Sequence, residues 1–150
     1  MNTLEKLQAI KLGNQDFWKV YESFNASEHD ISEADIPSLL EIVANQDLFD
    51  SKEEEDWLSH SLAIKSLRQF KSAAGFKLLI ELAKKQEDPD FLTEEIFAFS
   101  KEFRYEGYGL LKAEFLAIEG KNDILGFLAG GIKESVKDSE SIQKEEAAQV

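Results

Sequence analysis

Two histidines, thirty carboxylates and no cysteine set the chemistry open to this chain of 150 residues. His29 lies in "SEHD", between Glu28 and Asp30. Neighbours in sequence do not converge on one point, so this stretch reads as a solvated linker rather than a metal site. His60 follows Asp56 by four residues, a spacing that puts both on one helix face. That pair reads as a surface hydrogen bond rather than a general base oriented by a carboxylate. Neither histidine stands in Glu-x-x-His spacing, so the di-iron bundle pattern is missing. The "KEEED" stretch, residues 52–56, concentrates charge, but calcium loops alternate their oxygens around a glycine turn. These acids instead follow a helix-start signal. "LAGGIK" sits inside a helical apolar pattern, where close packing or a kink explains it better than a phosphate cradle. Without cysteine there is no disulfide, thiolate nucleophile or cysteine–metal site. No carboxylate pair stands out for acid–base work. The expectation is no catalytic residue, no metal and no cofactor.

Recognition is what remains. Protein-binding hot spots favour Trp, Tyr and Arg. "FRYEGYGLL", residues 103–111, holds one of the two arginines, Arg104, and two of the three tyrosines, Tyr105 and Tyr108. Trp18 and Trp57 fall on apolar stripes and are expected in the core. The net charge is −13, and it is uneven: residues 1–56 hold 14 acidic and 4 basic side chains. Such a chain repels nucleic-acid phosphates and anionic lipid and attracts a basic partner. Glu53, Glu54 and Glu55 form its most concentrated acidic patch. No apolar run approaches the ~20 residues that span a bilayer. The N-terminus carries charges inside its apolar stretch, unlike a signal peptide. A cytoplasmic location is expected.

The elements that must position these residues are helices, since almost every apolar stretch has helical spacing. Leu4, Leu7 and Ile10–Leu12 predict a first helix ending at Gly13. "DFWKVYESF" predicts a second, and "NASEHDISEAD" a polar connection. In "DIPSLLEIVANQ", Asp35 can cap and Pro37 fits the first turn; its apolar face is Ile36, Leu39, Leu40 and Val43. Ser51 and Glu54 have capping-box spacing ahead of a long helix through Phe70. Lys65, Arg68 and Lys71 lie near that helix's negative end. Phe76, Leu79, Ile80 and Ala83 line the next helix. Asp88-Pro89 reads as a further start, followed by Leu92, Ile96, Phe99 and Phe103. Tyr108, Leu111, Phe115 and Ile118 make another stripe, and Leu125, Leu128, Ile132 and Val136 the last. No segment alternates with period two.

The chain also repeats itself. "SAAGFKLL", residues 72–79, matches "RYEGYGLL", residues 104–111, at an offset of 32: Gly75 with Gly107, Phe76 with Tyr108, Leu78-Leu79 with Leu110-Leu111. Ile64 meets Ile96 and Leu67 meets Phe99 at the same offset. Two amphipathic helices per unit at this period mark an α-solenoid. On these residues, over about 32–136, the chain resembles the HEAT-like helical-hairpin repeats. The family's usual proline and aspartate do not recur at matched positions, and the alternative is an irregular helical bundle. The glycines are expected where the turn needs positive φ or lets backbones approach. The resemblance implies an all-α stack of antiparallel hairpins of a kind that serves as a protein-binding scaffold and seldom as an enzyme.

The expected whole is one all-helical domain, residues 1–136, with a polar tail, 137–150. Its expected function is an adaptor or an inhibitor of immunity type, with Glu53, Glu54, Glu55, Arg104 and Tyr105 contacting a basic protein. The alternative is a small helical enzyme or ligand-binding bundle using buried carboxylates.

Overall fold

The computed structural model describes residues 1–85, 90–103 and 109. The described residues form seven α-helices and two short 3-10 segments, with no strand: α1 (Thr3–Gln8), α2 (Phe17–Ser23), α3 (Ile36–Val43), α4 (Gln46–Asp50), α5 (Glu54–Gln69), α6 (Ala73–Lys85) and α7 (Asp90–Phe103). The chain is all-α, as the periodicity predicts. It divides after Gly75 into two units.

In the first unit α1, α2, α3 and α4 all pack on α5. Ten consecutive residues of α5, Leu58 to Leu67, are buried as a result. Along these ten residues the helix has no solvent face, so most of its polar groups find partners inside, Ser61 Oγ and His60 Nδ1 excepted. Ser59 and Ser66 donate to the carbonyls four residues back, Glu55 and Leu62, at 3.1 and 2.8 Å. The Lys65 ammonium donates to the Tyr21 carbonyl and to the Glu22 carbonyl at 2.9 Å. It thereby serves the C-terminal end of α2 rather than that of its own helix, as a cation at a helix C-terminus should. Gln69 closes the same junction. Its amide donates to the Phe24 carbonyl and its oxygen accepts from the Ala26 amide, both at 2.9 Å.

Several local expectations change. The first helix stops at Gln8 instead of reaching Gly13, whose φ of 58° places it in the left-handed region. The "polar connection" contains 3-10 turns at Ala26–His29 and Glu33–Asp35, and it buries Ala26 and Ile31. Asp35 stands at the N-cap of α3, but its side chain makes no cap hydrogen bond there. Its carboxylate accepts instead from the Thr3 hydroxyl at 2.6 Å and the Ser32 amide at 2.8 Å, with the Lys6 ammonium 3.6 Å away. Those hydrogen bonds, Thr3 first, hold its carboxyl below the usual carboxylate range. The capping box at Ser51 and Glu54 does not form, because α5 starts two residues later, with Glu53 as N-cap. Ser51 accepts from the Glu53 amide at 3.2 Å and donates to Asp56 at 2.8 Å.

The α5–α6 turn is resolved in detail. Lys71 takes a left-handed φ of 51°, and the Ser72 amide returns to the Leu67 carbonyl at 3.0 Å, as in a Schellman ending. Ser72 then accepts from the Gly75 amide at 3.0 Å and starts α6. Gly75 is helical, so positive φ is not its reason. A Cβ there would stand 3.0 Å from the Leu67 Cβ, so close approach is.

In the second unit, Phe76, Leu79, Ile80 and Ala83 of α6 are buried, as are Leu92, Ile96, Phe99 and Phe103 of α7. These are the two stripes read from the sequence. Phe76 meets Phe99 and Phe103 edge-on, with ring centroids 5.4 and 5.3 Å apart. The helix start expected at Asp88-Pro89 and the stripes after Phe103 lie outside the described residues.

Candidate functional site: an exposed aromatic corner on α2 and α5

Short helix α2 repeats large rings at its first, second and fifth positions: Phe17, Trp18 and Tyr21. Helical spacing sends Phe17 and Tyr21 along one line and Trp18 to its side. Phe17 and Tyr21 are buried, and their rings lie nearly parallel at 6.2 Å. Packing α2 on α5 brings Trp57 onto Phe17, stacked at 4.4 Å and 12°. Trp18 stands edge-on to Phe17 at 5.0 Å, to Tyr21 at 5.8 Å and to Trp57 at 6.4 Å. The Lys65 ammonium lies 4.9 Å from the Tyr21 ring centroid, a cation–π contact inside the same cluster.

The expectation that both tryptophans sit in the core is wrong. Trp18 is 43% exposed and Trp57 36%, and among the described residues the other large exposed hydrophobe is Met1. The apolar stripes are real, but on α2 the core takes Phe17, Val20 and Tyr21, and on α5 it begins at Leu58. The indoles are left at the rim. The two indoles lie at 82° to each other, with centroids 6.4 Å apart, at the rim of the ring cluster. Such a surface offers large contact area and a π face at small entropic cost to a partner.

The acids expected to bind stand beside this corner. Glu53 and Glu54 are exposed, and Glu55 is half-buried. Glu54 precedes Trp57 by three residues on α5 and Glu22 follows Trp18 by four on α2, the spacings that make neighbours on a helix surface, while Glu53 is the extended N-cap of α5. Arg104 and Tyr105, with Gly107 and Tyr108, lie outside the described residues. What the sequence reading missed is the pair of tryptophans. The available signal was composition: the chain has only two, one in the acidic stretch 1–56 and one directly after it, and exposed Trp is a hallmark of hot spots.

His60 is no surface residue paired with Asp56. It is fully buried, and its Nε2–H donates to the Val43 carbonyl at 2.9 Å. Phe49 packs on it edge-on at 5.3 Å, and its Nδ1 has no hydrogen-bond partner. Burial drives its pKa below 6.5, partly offset by the bond to Val43. The unfolded chain therefore takes up this proton near pH 6.5, while the folded chain resists it to lower pH. Stability is expected to be flat above about pH 6.5 and to fall as the pH drops below it. Urea midpoints measured between about pH 7.5 and 5 should show that slope in the wild type and a smaller one in His60→Gln. Equal slopes in both proteins would exclude His60 as the source.

His29 is exposed, as expected, and stacks on Phe24 at 5.4 Å. Among the described residues no group of histidines and carboxylates is arranged to hold a metal ion, and Glu95 is the one buried carboxylate. An open groove of about 440 Å³ at α1, lined by Met1, Lys6, Ala9, Ile10, His29 and Asp30, gathers no set of reactive groups. Lys6 there is already held by the Asp30 carbonyl at 2.7 Å. Among the described residues no helix is long and apolar enough to cross a membrane. Comparisons with protein-family models, with curated proteins and with solved structures return no match.

Proposed function

We propose that the chain is a non-enzymatic protein-binding module, an adaptor or an inhibitor of immunity type, whose acidic helical surface takes a basic protein. The observation that carries this reading is the exposed Trp18–Trp57 pair, flanked by Glu53 and Glu54 on the most acidic stretch of the chain. Aromatic anchors within a charged rim are the usual anatomy of an interface hot spot. Glu55, one residue on, adds to the field; Arg104 and Tyr105 stay in the proposal from the sequence alone. So does the HEAT-like stack, the scaffold whose relatives present such surfaces.

The test is titration with a lysine- and arginine-rich peptide at low and physiological salt, with duplex DNA as a second probe. Binding to the peptide is expected, weakening as salt rises, with no binding to DNA. Neutralising Glu53, Glu54 and Glu55 to Gln should slow association more than it speeds dissociation. The same change at Glu28, Glu33 and Glu41, exposed acids elsewhere in the first unit, should slow it less. No peptide binding, or equal loss from both triple variants, would overturn the reading.

A further inference from the structure

We infer that α4 is an acid-released flap: protonation of His60 frees this short helix from α5 while the rest of the first unit stays folded. The inference is independent of the binding reading above.

The imidazole supplies the first argument. His60 is fully buried, and its Nε2–H is committed to the Val43 carbonyl at 2.9 Å. That bond sets the tautomer, so an added proton goes to Nδ1. Nδ1 is buried too, and no protein group stands ready to accept from it. A buried cation with an unmet donor is costly, so the charged ring must reach water.

Neighbouring charges do not relieve that cost. Glu41 of α3 and Asp47 and Asp50 of α4 are exposed. On α1, Glu5 is exposed and Lys6 is held by the Asp30 carbonyl. Lys19 and Glu22 of α2 are exposed. On α5 itself, Asp56 accepts from Ser51, and Lys65 serves the end of α2. Burial lowers the pKa of His60, and only the bond to Val43 raises it.

The cover over the ring supplies the second argument. Val43 belongs to α3, which is anchored by the buried side chains of Leu39, Ile42 and Val43. Phe49, edge-on to the imidazole at 5.3 Å, belongs to α4. Helix α4 has five residues and none of them is buried; Leu48 and Phe49 are half-buried. The Asn45 cap on the Leu48 amide and the Gln46–Asp50 bond lie within this segment and do not tie it to α5. Elements with so little buried surface open locally, before the whole unit does. Lifting α4 uncovers His60 and leaves the buried run of α5 against α1, α2 and α3.

The size of the effect follows from linkage. In the open state His60 titrates near its ordinary pKa of about 6.5, and in the closed state it resists protonation to lower pH. The opening constant should therefore rise about thirtyfold between pH 7.5 and pH 5.

The experiment is amide hydrogen exchange followed by NMR at these two pH values, corrected for the intrinsic pH dependence of exchange and repeated in low urea. The Phe49 and Ser51 amides, bonded to the Asn45 and Leu48 carbonyls, report α4. The amides of Leu62–Leu67 report the buried part of α5. The α4 amides are expected to lose about thirtyfold in protection at pH 5, through an opening that barely depends on urea. The α5 amides should stay better protected at both pH values and respond steeply to urea, because the whole unit must unfold to expose them. His60→Gln, which keeps a donor for Val43, should abolish the pH dependence at α4. Phe49→Ala, which uncovers the ring, should lower α4 protection at pH 7.5 and shrink the change on going to pH 5. A change of less than about threefold at α4 in the wild type, or one that persists in His60→Gln, would overturn the flap. So would α4 amides that share the protection and urea slope of α5, since α4 would then open only with the whole unit. If His60→Gln does not fold, Phe49→Ala decides: an undiminished change in that variant would rule out His60 as the trigger.

Discussion

Phe76→Ala is expected to destabilise the second unit by about 4 kcal/mol, the range for aromatic truncation in a packed core. Phe76 has no exposed surface, and its ring lies edge-on to both Phe99 and Phe103. Those two rings are themselves nearly parallel at 6.2 Å, so one residue of α6 closes over a pair on α7. Removing it withdraws a buried ring and two aromatic contacts and leaves a cavity that helices can only partly collapse. Phe76→Leu, which refills most of that volume, should cost about 1 kcal/mol. Urea unfolding followed by far-ultraviolet circular dichroism measures both. Tryptophan emission would not suffice, since both tryptophans belong to the first unit. An alanine variant that unfolds at the wild-type midpoint would mean that α6 and α7 do not share this core.

Lys65→Met should cost about 3 kcal/mol, although a methionine fits the same space and is less costly to bury. The loss comes from what Lys65 serves. Its ammonium is the donor to the last carbonyls of α2, at Tyr21 and Glu22, and a hydrogen bond from a charged donor contributes about 1.5–3 kcal/mol. Methionine donates nothing, so the buried Tyr21 carbonyl is left without that bond. The end of α2 should loosen, and with it the ring pairs that Phe17, Trp18 and Tyr21 make with Trp57. The expected result is a lower urea midpoint together with a red shift of tryptophan emission in the folded protein. Lys65→Arg, which keeps a donor, should recover part of both. A methionine variant as stable as the wild type would show that burying the ammonium costs as much as its bonds return.

Much of the architecture was legible in advance because it depends on spacing within one helix. Leu92, Ile96, Phe99 and Phe103 recur at helical intervals, and any packed helix with that pattern must turn them inward. The same holds for Phe76, Leu79, Ile80 and Ala83. The start of α6 was legible only in part. Ser72 is a good cap by type, but the close approach that requires Gly75 depends on where Leu67 lies, and Leu67 belongs to the preceding helix.

What the sequence by itself determined is the helical class, the inward stripes of α6 and α7, the absence of cysteine chemistry and the acidity of the first 56 residues. Each follows from residue type or from periodicity along one element. The tertiary structure decided which residues are inside when an element has more than one neighbour. Helix α5 is surrounded by four others, so Ser59, His60, Ser61, Lys65 and Ser66 are buried despite their polarity. For His60 and Lys65 the partners are backbone carbonyls 17 and 44 residues away, beyond any local pattern. Trp18 and Trp57 went the other way. Their stripes pointed to a core, but once Phe17 and Tyr21 fill the α2–α5 contact, the indoles are pushed to its edge. Burial is a competition for limited contact area between elements, and its outcome is fixed only when the elements meet.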